Sequence, residues 1–409
     1  MKRIIIAIAT VLLIVGTVFA GCAKPAEEGA GPGEEQQEAA ETVVWRFATF
    51  VPATDCYMQW VTTWGQYMAE KTGGRFKLYT YFADSLVKSQ GQLDAVESGT
   101  ADMGAITVSA WSERLPFQAP FSLIGSPLVN GIHGSMVILG MYDWLKEKYP
   151  QYVDKFYGHT KIMWMNVPIP RNTIVSNKPI HTLADLKGIK LTATSAEDIK
   201  GYTLLGAVTV PLFTGDMYMG LQTGVVDGVH GDWTMFKLWR LYEPTKYRVE
   251  NTVRKGSGFP TAANWDSYNR LPADIKAIFD ASYDPLKRSI GHTLVHRAQE
   301  YYFREWIEKY QTDHGNPPAY YLPDDESKQW NDMVKPVTQD WIDRTNKAGL
   351  PGTEYWAELE SLATQYRAEA DRLVAEFVPG YLEMWRTGKE AQFWEYEYPM
   401  KALQGWTMK

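Results

Sequence analysis

Lys178–Trp233 reads KPIHTLADLKGIKLTATSAEDIKGYTLLGAVTVPLFTGDMYMGLQTGVVDGVHGDW, and its punctuation decides the fold. Asp185 can cap a short turn that Gly188 closes. Ile189 to Leu191 starts a buried strand, and Ser195 can N-cap a helix that ends at Gly206. Val208, Val210 and Leu212 form a second strand. Asp216 to Thr223 is helical and stops at Gly224, and Val225 to Val229 re-enters the sheet. Strands alternating with helices predict a parallel α/β sheet whose ligand site lies at the strand ends.

The N-terminal half repeats the pattern. Val43 to Phe50 is a β-branched and aromatic strand, Cys56 to Lys71 a helix stopped by Gly73-Gly74, and Arg75 to Phe82 an alternating strand. Gln90 to Ser98 is helical, and Met103 to Val108 is a strand that ends near Trp111. A ligand-facing role for Trp111 follows from that strand end. Pro168 and Pro170 mark a point for the chain to cross between lobes, and Arg171 lies just beyond. A second crossing falls near Phe259. Pro272 to Ser289 is helical with a break at Pro285. Asp324 to Gly349 and Tyr355 to Phe377 are long helices, with a short strand over Ala319 to Leu322. His292 and His296 stand at i, i+4, a spacing that can serve a metal. No third ligand is apparent, and the pair reads as a solvated helix face.

The ends have their own chemistry. Lys2 and Arg3 precede the apolar run Ile4 to Phe19, which is short for a membrane span and reads as a signal peptide. Phe19-Ala20-Gly21-Cys22 is similar to a bacterial lipobox, in which Cys22 is acylated. Residues 23–43 are rich in Glu, Gln, Ala, Gly and Pro and read as a disordered tether. The net charge is −7; residues 1–43 carry three basic and six acidic side chains, which leaves −4 for the rest. No basic stripe stands out, so nucleic acid is not an expected partner. Cys56 is the one cysteine beyond the lipobox, so an intramolecular disulfide is excluded there, and it reads as a small buried hydrophobe. No Gly-x-Ser-x-Gly, His-Glu-x-x-His, P-loop or Cys-x-x-Cys motif is present, so an enzyme is not indicated and no cofactor or metal is assigned.

An ordered set of short matches resembles the solute-binding proteins of TRAP transporters, of the dicarboxylate-binding type. The carriers are Lys178-Pro179-Ile180, Asp185-Leu186-Lys187-Gly188-Ile189-Lys190, Leu205-Gly206-Ala207 and Leu221 to Gly228. Thr72 to Arg75, Asp84-Ser85-Leu86, Gly99 to Gly104, Asn264 and Leu271-Pro272 fit the same pattern, over roughly Val44 to Gln365. The resemblance implies a periplasmic-binding-protein type II-like fold: two α/β lobes, a hinge, a central ligand cleft and long C-terminal helices. Lobe I would be 44–168 plus 259–298. Lobe II with bracing helices would be 169–258 plus 299–380, and 381–409 an aromatic-rich extension packed on the globule or open to self-association. It further implies an exported, lipid-anchored receptor that captures a small molecule and delivers it to TRAP-type permease subunits. A homodimer is left open.

In the family an arginine after the Gly-Ile-Lys-hydrophobic run meets the ligand carboxylate, and an asparagine follows Asp-Gly. The matching positions here are Thr192 and Gly231, so a simple dicarboxylate is not implied. The candidate ligand-binding residues are Arg171, Thr192, Trp111, Phe213, Thr214, His230, Asp232, Trp233 and Asn264. Some members hold a metal with a Glu-Trp pair; Asp232-Trp233 falls two residues late for it, and could instead face a cationic or apolar ligand. The alternatives are a ligand-sensing lipoprotein that signals to a membrane receptor, a structural surface lipoprotein, or an enzyme on the same scaffold.

Overall fold

The computed structural model describes residues 41–166, 172–256, 259–282 and 285–389. The signal segment with Cys22, nearly all of the tether, the Pro168–Pro170 crossing, Arg171 and residues 390–409 of the C-terminal extension lie outside them.

In chain order the first elements are β1 (Val43–Ala48), α1 (Cys56–Lys71), β2 (Phe76–Tyr81), α2 (Gln92–Glu97), β3 (Met103–Ala105), α3 (Gly131–Lys148), α4 (Pro150–Tyr157) and β4 (Thr160–Asn166). The chain then forms β5 (Thr173–Ser176), β6 (Lys190–Thr192), α5 (Ala196–Leu204), β7 (Val208–Val210), α6 (Thr214–Gln222), β8 (Gly228–Gly231), α7 (Trp233–Leu238) and β9 (Tyr247–Glu250). It continues through β10 (Phe259–Asn264), α8 (Trp265–Asn269), α9 (Ala273–Ala281), α10 (Pro285–Asp313) and β11 (Tyr320–Tyr321). It closes with α11 (Asp324–Met333), α12 (Lys335–Lys347) and α13 (Gly352–Arg386).

Two sheets result. One has the order β2-β1-β3-β10-β4, the other β11-β9-β5-β8-β6-β7. In the first, β1 runs parallel to β2 and β3, whereas β10 is antiparallel to β3 and β4. In the second, β6 is parallel to β7 and β8, and β5 is antiparallel to β8 and β9. The chain therefore crosses from sheet to sheet after β4, again between β9 and β10, and a third time between β10 and β11.

The caps follow the local sequence. Thr182 and Asp185 form a reciprocal capping box before Gly188, which takes a left-handed φ of 78°. The Ser195 hydroxyl accepts the Asp198 N–H at the start of α5. Pro285 opens α10, because its missing N–H is one of the donors a helix start leaves unpaired anyway. The expected single helix over Asp324 to Gly349 is instead two, broken at Val334 ahead of Pro336, which removes a helical donor. The last helix runs past the expected Phe377 to Arg386, with Tyr381 buried. Both lobes lean on α10 and α13: α10 packs against α13, α3, α1, α7 and β4. Among the described residues no helix is long and apolar enough to cross a membrane.

Candidate functional site

A cleft of about 700 Å³, open at its mouth, lies between the two sheets. The first lobe supplies Phe50 after β1, Thr107, Val108 and Ser109 after β3, and Phe259 at the start of β10. The second supplies Thr192 and Thr194 at and beyond the end of β6, Phe213 and Thr214 after β7, and His230 on β8. The cleft thus sits at strand ends, where a sheet of this kind offers side chains that its own packing does not consume.

Among the described residues its charge comes from one ion pair. Lys255 Nζ donates to Asp198 Oδ2 at 2.6 Å, and both side chains are buried. Lys255 stands on the segment that crosses back from β9 to β10. That segment is held from both sides: Gly125 N–H donates to Arg254 O at 2.6 Å, and Gly256 N–H donates to Leu123 O at 3.2 Å. Gly256 is needed there, because a Cβ would press into the Phe121 carbonyl. Asp198, in the first turn of α5, accepts the Thr194 N–H at 3.2 Å and the Thr194 hydroxyl at 3.1 Å through Oδ2. Its Oδ1 is buried without a hydrogen-bond partner, an arrangement that calls for a donor from a guest. His230 is committed to the protein: Nδ1 lies 2.9 Å from the Tyr202 hydroxyl and Nε2 3.4 Å from that of Thr252.

The expected residues divide. Thr192, Phe213, Thr214 and His230 meet in the cleft. Trp111 lies beyond its lining, half-buried, with the Arg114 guanidinium 5.0 Å from its ring centroid. Asn264 caps α8, accepting the Ser267 N–H at 2.8 Å, and donates to Val96 O. Trp233 is buried in the core of the second lobe beside Phe236. Asp232 caps α7 through the Met235 N–H and faces a second cavity. Gly231 has no room for the family's side chain, because a Cβ would lie 2.8 Å from the Phe236 ring. Lys255 and Asp198 were not anticipated; no motif marks them, and the available signal was a basic residue in a segment between strands of different sheets.

The second cavity, of about 470 Å³, shares Phe50 and Phe259 with the cleft and is also lined by Asp55, Asp232, Thr234, His292 and His296. Here the reading of His292 and His296 as a solvated face is corrected. They are 5% and 6% exposed, because α1, α3, α7, α13 and β4 enclose α10. Burial, reinforced by the charge of His296, pushes the His292 imidazole well below its usual range. Burial likewise pushes up the Cys56 thiol, with Asp55 adding to it. Asp55 is raised by burial against the opposing pull of His296.

Two α/β lobes joined by three chain crossings, with a polar cleft at facing strand ends, define a two-lobed solute receptor. The profile of the bacterial extracellular solute-binding proteins, family 7 (DctP), matches residues 47–345, and the chain belongs to this family of TRAP solute-binding proteins. It is a binding protein rather than an enzyme, in keeping with that family. It is 25% identical over 252 residues to a monocarboxylate 2-oxoacid-binding periplasmic protein of Nostoc, covering 59% of this chain and 66% of the relative. It is 25% identical over 274 residues to an ectoine/5-hydroxyectoine-binding periplasmic protein of Ruegeria pomeroyi, covering 64% and 74%. The chain spans about half to two thirds of the length of several curated relatives it matches. Its fold is that of a TRAP solute-binding protein from Rhodoferax ferrireducens solved with copurified benzoate. The TM-score is 0.71 and the identity 24%, covering 80% of this chain and 100% of the other.

Proposed function

We propose that this protein is the receptor of a TRAP uptake system for a small monocarboxylic acid that also carries a hydrogen-bond donor. The observation that carries the reading is the buried Lys255–Asp198 pair, set in a cleft walled by Phe50, Phe213 and Phe259. The Lys255 ammonium puts a positive charge at the cleft wall, and a carboxylate is the complementary guest. Asp198 Oδ1 then receives the guest's hydroxyl or amino group. Thr192, in the position of the family arginine, and Thr214 add neutral hydroxyls that suit one carboxylate rather than two. Relatives that bind 2-oxoacids and benzoate support the choice of acid.

In this reading Phe213, Thr214 and His230 shape the cleft from the second lobe, and Arg171 is kept as a candidate ligand contact. Lobe I comprises 44–168 with 259–298, and lobe II 169–258 with 299–380. The loaded receptor hands its solute to the permease, and acylated Cys22 tethers it to the membrane.

The test is a thermal-shift and calorimetric screen of matched acids with and without the donor: lactate against propionate, mandelate against phenylacetate, 3-hydroxybenzoate against benzoate. Binding raises the melting temperature by mass action. The donor-bearing member should bind about 10- to 100-fold more tightly, since its absence leaves a buried oxygen unpaired at about 1–3 kcal/mol. Amines binding without a carboxylate, or no acid binding at all, would refute the reading.

A further inference from the structure

The second cavity carries a donor set of its own. Asp55, Cys56 and His292 each offer one ligand atom, and the three atoms lie within 4.8 Å of one another, all on buried residues. Cys56 Sγ is 3.7 Å from His292 Nε2. A tetrahedral zinc ion, with bonds of about 2.3 Å to sulfur and about 2.0 Å to nitrogen, places those two atoms about 3.6 Å apart.

Three polar atoms around them have no partner. His292 Nδ1, His296 Nδ1 and Thr234 Oγ1 are buried without a hydrogen-bond partner, and all three residues line this cavity. The His292 and His296 rings stack with centroids 5.7 Å apart, so a second imidazole stands beside the first. Asp232 adds a carboxylate to the same wall. Asp55 caps α1 through the Tyr57 N–H and Asp232 caps α7, but a thiol hydrogen-bonded to an imidazole leaves the His292 and His296 Nδ1 atoms without a partner.

We propose that Asp55, Cys56 and His292 form a binding site for a divalent transition metal of the zinc type, with the fourth coordination position facing the cavity beside His296. Sulfur, imidazole and a single carboxylate form a borderline-soft set, which favours zinc or cobalt over magnesium or calcium. The metal would join the start of α1, in the first lobe, to α10, where α7 of the second lobe closes the cavity. The site is separate from the Lys255–Asp198 pair and does not depend on the acid reading.

The experiment uses the untagged full chain with Cys22→Ser, so that Cys56 is the sole thiol. The protein is stripped with a chelator and titrated with zinc chloride alone by calorimetry and with cobalt chloride by absorption. The expected result is one equivalent of zinc with a dissociation constant of about 1 μM or below, and a thiolate-to-cobalt charge-transfer band with tetrahedral d–d absorption. Cys56→Ala should abolish the charge-transfer band. His292→Gln should weaken zinc at least about tenfold, with circular dichroism checking the fold. Absence of a saturable equivalent, or of the thiolate band in the parent protein, overturns the proposal whether or not the variants fold. So does unchanged zinc affinity in both variants.

Discussion

Replacing Lys255 by methionine removes the ammonium that sits 2.6 Å from Asp198 and leaves the carboxylate buried with only the Thr194 N–H and hydroxyl as its hydrogen-bonding donors. Breaking a buried pair by removing one partner costs about 3–5 kcal/mol, because the survivor keeps its desolvation penalty and loses its compensation. A solvated surface pair would lose about 0–1 kcal/mol. The exposure of the two side chains, 7% and 1%, places this pair in the first class. At about 2 °C per kcal/mol for a chain of this size, the melting temperature should fall by about 6–10 °C. Asp198→Asn in the Lys255→Met background keeps an acceptor for Thr194 and removes the stranded charge, so the double variant should recover most of the loss. The assay is a four-cornered cycle of urea unfolding followed by circular dichroism. A coupling of about 2 kcal/mol or more is expected. Near-additive effects, with Lys255→Met within about 1 kcal/mol of wild type, would refute the reasoning and place the pair in contact with water.

Three further outcomes follow from the same geometry. Glu300 is pushed up to about 7 by burial, opposed by Arg297 and reinforced by Asp232 and Glu250, from an ordinary value of 4.5. Between those values the folded state holds a proton the unfolded state has lost. Glu300 therefore withdraws up to about 3 kcal/mol of stability as pH rises through this window and nothing more above it. Relative to wild type, Glu300→Gln should gain that amount between pH 5 and 8, and a pH-independent difference in unfolding free energy would contradict it. Thr192→Arg should tighten small carboxylates by about 1.5–3 kcal/mol, the worth of a hydrogen bond to a charged group; calorimetry showing no gain for any acid would remove residue 192 from acid recognition. Gly256→Ala forces a methyl group against the Phe121 carbonyl and displaces the neighbouring Lys255. It should weaken the best acid at least about tenfold, and an unchanged dissociation constant would show that the crossing segment does not position the ammonium.

What the sequence makes legible is what lies close along the chain. The turn at Asp185–Gly188, the Ser195 cap and the stops at Gly206 and Gly224 are each decided within a few residues, and the structure has them where the spacing puts them. Thr192, Phe213 and Thr214 are singled out by the family resemblance, and they stand at strand ends that line the cleft. Neither signal marks Lys255 and Asp198. They are 57 residues apart, and their meeting depends on the path of a crossing segment clamped by Leu123 and Gly125.

The histidines fail for a different reason. A surface helix betrays itself by one apolar stripe, but α10 is enclosed by four helices and a strand, so no face is free to be polar. Its run His292, Thr293, His296, Gln299 and Glu300 mimics a solvated face while being buried throughout. Buried polar groups are retained at a cost and need partners. In this fold some of these groups lie in the two cavities that share Phe50 and Phe259: the Lys255–Asp198 pair in one, Asp55 and His292 in the other. Asp198 Oδ1, Thr107 Oγ1, Thr234 Oγ1 and the Nδ1 atoms of His292 and His296, all without a hydrogen-bond partner, thus face these two cavities, where a guest can supply what the packing does not.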